Sequence, residues 1–146
     1  GWLVETAGSM IDQDLIEKEI ISDSEKFQIK ELAFDPWGAP GIIGALQNEG
    51  LEVLTVPLQA RHLSAPMKWI DGLLKSGRLH HNGDPVAIWG VSNVSVKPDQ
   101  NDNWFPRKQT RAKKTDPAVA MILATCRAQL GQDGGSVYDK RGVISV

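Results

Sequence analysis

The chain has 146 residues, 41% hydrophobic and 23% charged, which suits one globular domain large enough to bury a core. A net charge of −2 argues against a globally basic nucleic-acid binder, and no apolar run approaches the roughly 18 residues that span a bilayer. A single cysteine, Cys126, excludes an internal disulfide and makes a reducing, cytosolic setting the expectation.

The chain enters a strand-like run, Trp2-Leu3-Val4, directly after Gly1, and Glu5 follows too soon for a signal peptide. Such a start reads as a piece of a longer protein. Gly8 predicts a turn. The spacing of Leu15, Ile16, Glu19 and Ile20 predicts a helix from Asp12 to Phe27, with Asp12 as N-cap and Ile11 stapled to Ile16. Ile29–Phe34 reads as a short strand. A helix over Pro36–Glu49 follows, with Ala39, Ile42, Ile43 and Leu46 on one face and Gly50 as its terminating C′ glycine.

Leu51–Leu58 is rich in β-branched residues and reads as a strand ended near Pro57. Ser64 is placed as the cap of a third helix, with Met67, Ile70, Leu73 and Leu74 buried and Gly77 stopping it. Pro85–Val96, with Val86, Ile88 and Val91, reads as one long strand or a strand pair. Residues 97–114 read as a polar loop, and Asp116–Leu130 as the last amphipathic helix. The tail from Gly131 to Val146 is Gly-rich, with a small strand over 143–146. Helices alternating with strands predict right-handed crossovers and a partly parallel sheet, whose functional groups gather beyond the carboxyl ends of the strands.

Charge is unevenly spread. Residues 1–35 carry nine acids against three lysines, whereas residues 97–114 carry Lys97, Arg107, Lys108, Arg111, Lys113 and Lys114 against Asp99 and Asp102. Trp104 and Phe105 interleave that basic segment, as in surfaces that track phosphates, although a solvated loop has the same composition. Trp37, Trp69 and Trp89 sit among apolar neighbours and are expected in the core. Cys126 reads as a core residue and His80-His81 as a turn, and the three histidines form no zinc pattern with the cysteine. No phosphate-binding glycine loop and no Gly-x-Ser-x-Gly elbow is present.

Two Asp-Pro steps stand at element boundaries, Asp35-Pro36 and Asp116-Pro117, 81 positions apart. Asp before Pro is a helix-start signature. Two carboxylates so placed also suit a hard divalent cation. Both readings stay open on spacing alone, and the position of Asp35 at the end of a strand favours the second.

The series Phe34-Asp35-Pro36-Trp37-x-Ala39, Leu46-x-x-x-Gly50 and Val56-x-x-Gln59 is followed by Leu63-Ser64-x-Pro66-Met67 and Gly77-x-Leu79-x-His81. Then come Asp84-Pro85-Val86, Trp89, Asn93, Lys108 and Thr115-Asp116-Pro117-Ala118-Val119-Ala120. In this order the residues resemble the nuclease domain of phage terminase large subunits, over about residues 2–128. The resemblance implies an α/β fold of the RNase H-like type, a mixed sheet flanked by helices, with a nuclease domain over 1–130 and a C-terminal tail over 131–146. It implies an endonuclease that cuts concatemeric viral DNA for packaging by two-metal phosphodiester hydrolysis with Mg²⁺ or Mn²⁺.

By the same resemblance Asp35 and Asp116 are the catalytic, metal-binding acids and Asn93 a supporting residue behind them. Arg107, Lys108, Arg111, Lys113 and Lys114 hold double-stranded DNA. The full-length protein is expected to add a packaging ATPase domain and to meet a small subunit and a portal in the host cytoplasm, with no membrane partner. The family's first-strand aspartate has no counterpart here, so two strands and one ligand are expected to be missing. Weak cleavage or none, and a homodimer through an exposed strand edge, are the corresponding expectations. The alternative is a non-catalytic RNase H-like module that binds DNA or a partner.

Overall fold

A computed structural model describes residues 3–37 and 40–132, and the expected strand at 143–146 lies outside them. Residues 3–11 form no strand, which corrects the expected opening strand over its described part. Helix α1 (Gln13–Lys26) starts as expected, because the Asp12 carboxylate accepts the Leu15 N–H at 3.0 Å. None of its residues is fully buried. Ile20 and Ile21 nevertheless lean on a core cluster of Ile42, Leu46 and Val53.

Strand β1 (Leu32–Phe34) pairs in parallel with β2 (Val53–Thr55), Ala33 lying opposite Leu54. Helix α2 (Pro40–Asn48) crosses between them and begins at Pro40 rather than at Pro36. Residues 36 and 37 form a turn instead, in which the Trp37 N–H reaches the Asp35 carboxylate at 3.4 Å. Such a local bond competes with helix, and Pro40 is itself suited to a first helical position. Gly50 ends the helix as predicted. Its φ of 82° is left-handed, and Gly50 and Leu51 donate to the carbonyls of Gln47 and Leu46 at 3.0 and 3.1 Å.

Helix α3 (Ala60–Lys75) starts earlier than the expected Ser64 cap. Ser64 is buried inside it, and its hydroxyl accepts the Trp104 N–H at 3.0 Å. The Ser-x-Pro pattern imitated a helix start, yet Pro66 sits within the helix, where its missing N–H simply leaves one carbonyl without its usual partner. Gly77 closes α3 in the same manner as Gly50, with φ 66° and donation from Gly77 and Arg78 to Leu74 and Leu73.

The largest correction is at 85–96. Pro85–Ser92 is helix α4, and only Val94–Val96 forms a strand, β3. Asp84-Pro85 is a third Asp-Pro step and the one that caps, its carboxylate accepting the N–H groups of Val86 and Ala87 at 2.8 and 3.2 Å. The buried member of α4 is Gly90, whose missing side chain hid the helical period from a hydrophobicity reading. The expected polar loop also contains structure, because β4 (Pro106–Lys108) pairs antiparallel with β3. Helix α5 (Asp116–Gln132) closes the described chain and takes in Gly131, which had been assigned to the tail.

The main core lies between α3 and α5, where Val56, Leu63, Met67, Ile70, Ile122 and Leu123 pack together, with Cys126 at their edge. Arg127 of α5 forks onto Glu31 with two bonds of 3.0 and 2.8 Å, fixing the helix to the segment that feeds β1. Three tryptophans depart from the expected core: Trp37 is 91% exposed, and Trp69 and Trp89 are exposed by 38% and 46%. Trp104 and Phe105 do the opposite. Both are half-buried against the α3–α5 core.

Candidate active site

A cleft of about 540 Å³ opens at the carboxyl end of β1. Asp35 reaches it from the residue after β1, Lys108 from the end of β4, and Thr115 and Asp116 from the start of α5. Phe34, Leu58 and Phe105 supply apolar wall. Two acids 81 positions apart therefore meet in one cavity.

Neither acid caps a helix with its side chain among the described residues. Asp35 is half-buried, and its carboxylate has only the long 3.4 Å contact to Trp37 among the described residues. Asp116 is exposed and is the first residue of α5 rather than its N-cap. The residue before it, Thr115, is buried at 4% exposure, and its carbonyl accepts the Val119 N–H at 2.9 Å. No side-chain hydrogen bond or ion pair among the described residues uses the Asp116 carboxylate. Asp84 shows what capping looks like in this molecule, and the two cleft acids are free by comparison.

Of the expected cationic group, Lys108 is brought to the acids and the others are not. Arg107 is exposed and lies 5.6 Å from the Phe105 ring centre. Arg111 and Lys114 are exposed, and half-buried Lys113 donates to the Gln109 side-chain carbonyl at 2.6 Å. Arg107 lies in β4, and Arg111, Lys113 and Lys114 lie in the segment that links β4 to α5. Asn93 is not in the cleft wall. It is buried at 2% exposure, and its amide donates to the Lys114 carbonyl at 2.9 Å. Thr115 was not singled out by sequence reasoning, and nothing but its place beside Asp116 marked it.

The model of the terminase large subunit endonuclease domain matches residues 1–132. The chain belongs to that family. Protein YmfN of Escherichia coli (strain K12) is 33% identical over 147 residues, covering 99% of this chain and 31% of the relative. The large terminase of bacteriophage HK97 superposes with a TM-score of 0.76 at 21% identity, over 86% of this chain and 27% of that one. The large terminase nuclease of thermophilic phage G20c, solved with bound magnesium, superposes with a TM-score of 0.58 at 17% identity, over 77% and 60%. These likenesses show an RNase H-like terminase nuclease fold, as the resemblance implied. The terminase domain spans under a third of the length of YmfN and of the HK97 protein.

The donor chemistry of the terminase cleft fits a hard cation, because its side-chain oxygens come from Asp35, Asp116 and Thr115, with the Lys108 ammonium as the other polar group and no His or Cys in the lining. Its acids number two. Among the described residues no three His, Cys, Asp or Glu side chains cluster closely enough to hold an ion.

Proposed function

We propose that this domain is the metal-dependent DNA endonuclease portion of a viral genome-packaging terminase large subunit. The observation that carries the reading is the meeting of Asp35 and Asp116 in one cleft, both without structural partners of any strength. Asp35 and Asp116 would hold Mg²⁺ or Mn²⁺, the class of ion bound by the G20c nuclease. A divalent ion there supplies positive charge for activating water and for the departing oxygen of a phosphodiester. Lys108, which lines the same cleft, would neutralise a non-bridging phosphate oxygen. Arg107, Arg111, Lys113 and Lys114 would hold the backbone on either side without reading bases, and Asn93 supports the chain behind Asp116. The partners of the full-length protein would be double-stranded DNA, its own packaging ATPase domain, the small subunit and the portal, in the host cytoplasm. Among the described residues each strand has one ladder neighbour, and a homodimer by strand addition would use the other edge.

Plasmid nicking by the full-length protein with Mn²⁺ tests this reading. Asp35→Ala and Asp116→Ala should each reduce nicking on the order of 100-fold or more while ATP hydrolysis continues. Loss of ATP hydrolysis together with nicking points to misfolding, and unchanged nicking refutes the assignment. The isolated domain should nick weakly or not at all. A second reading, a non-catalytic module that binds DNA or a partner, is favoured by the pairing of two acids rather than three among the described residues. DNA affinity retained with no Mn²⁺ uptake at millimolar concentration would select it.

A further inference from the structure

We infer that helix α4 is the positioning element for Asp116, acting through Gly90 and Asn93. This rests on the reading of Asp116 as a metal ligand. Gly90 is the buried residue of α4, and it lies against the ring of Pro117, the residue directly after Asp116. A Cβ built on Gly90 would stand 2.9 Å from both Cδ and Cγ of Pro117 and 3.1 Å from its Cβ. Real side chains do not approach that closely, so any residue larger than glycine displaces either α4 or the first turn of α5. Gly90 has no left-handed backbone requirement, unlike Gly50 and Gly77, and its role is therefore space.

The second hold is polar. Asn93 follows α4 as its C-cap, is buried, and donates its amide to the Lys114 carbonyl at 2.9 Å. One short helix thus grips the chain on both sides of Asp116, at Lys114 before it and at Pro117 after it. Asp116 itself is exposed and has no side-chain partner among the described residues, so its direction depends on the backbone that carries it. The Asp84 cap stabilises the first turn of α4 at its other end. Two contacts flanking a carboxylate fix where it points far better than either could alone, and a ligand turned by a small angle loses affinity steeply.

The test uses Mn²⁺ binding by this chain, measured calorimetrically, beside its thermal midpoint. Gly90→Ala should weaken Mn²⁺ binding about tenfold. The double variant Gly90→Ala with Pro117→Ala, which removes the two nearest opposing atoms, Cγ and Cδ, and keeps Cβ, should recover most of the lost affinity. Leu46→Val, a change in the separate core cluster around α2, should lower the midpoint without moving Mn²⁺ affinity. Asn93→Ala provides an independent arm, with about a fivefold loss expected. Folded Gly90→Ala with unchanged affinity overturns the inference, as does a double variant that fails to recover. If Gly90→Ala does not fold, unchanged affinity in Asn93→Ala overturns it. A parent chain that takes up no Mn²⁺ removes the metal reading itself and this inference with it, a result distinct from a variant that merely matches its parent.

Discussion

Three aspartates precede prolines, and they fall into two roles. Asp84 caps α4 with two short bonds, whereas Asp35 and Asp116 lie open to a common cleft. Stability measurements should separate them. Asp84→Ala should cost about 1 kcal/mol by chemical denaturation, the usual loss for an N-cap. Asp35→Asn and Asp116→Asn should change stability by no more than about 0.5 kcal/mol, since neither acid has a strong partner to lose. A large loss at either position would mean that it serves the fold. The physical difference was invisible in sequence, because all three dipeptides carry the same local signal. Only the positions of nearby N–H groups decide whether a carboxylate is satisfied locally or left free for a ligand.

The elements legible in sequence were those closed by local chemistry. α1 begins at its capping aspartate, and α2 and α3 end at left-handed glycines, because these signals act within one helical turn. β1 and β2 were placed but overestimated, since strand length depends on the ladder partner rather than on the run itself. The loop between β3 and β4 is held by Asp99, whose carboxylate accepts the backbone N–H groups of Asn101 and Asn103 and the side-chain amide of Asn103. The Asn103 side chain and then its backbone N–H hold the Asp99 pKa below the usual 3.8. A folded value below the unfolded one means that the contribution is present above pH 3.8 and fades as pH falls through the lowered value. Amide exchange at Asn101 and Asn103 should therefore accelerate on acidification below that range, and Asp99→Asn should abolish the dependence. Exchange that ignores pH there, after correction for its intrinsic rate, would refute the role.

Across the whole molecule, a modest core carries a charged cleft. Leu46 and Leu63 are fully buried in its two clusters, and replacing either with Ala should cost about 2–5 kcal/mol, read from denaturant midpoints. DNA binding should be tolerant of sequence and steep in salt, because the contributing cations meet phosphates. Replacing Lys108 and Arg111 together with Ala should lower the slope of log affinity against log salt by about 1–2. An unchanged slope would place the DNA elsewhere. By itself the sequence determined the family, the α1 cap, the glycine stops of α2 and α3 and the two acids worth watching, because ordered motifs and capping chemistry are properties of short segments. Tertiary structure alone decided that Asp35 and Asp116 share a cleft, that Trp104 turns inward, and that α4 is a helix packed against Pro117. Those outcomes depend on contacts between residues far apart in the chain, and a glycine's missing side chain means something only once its neighbour is in place.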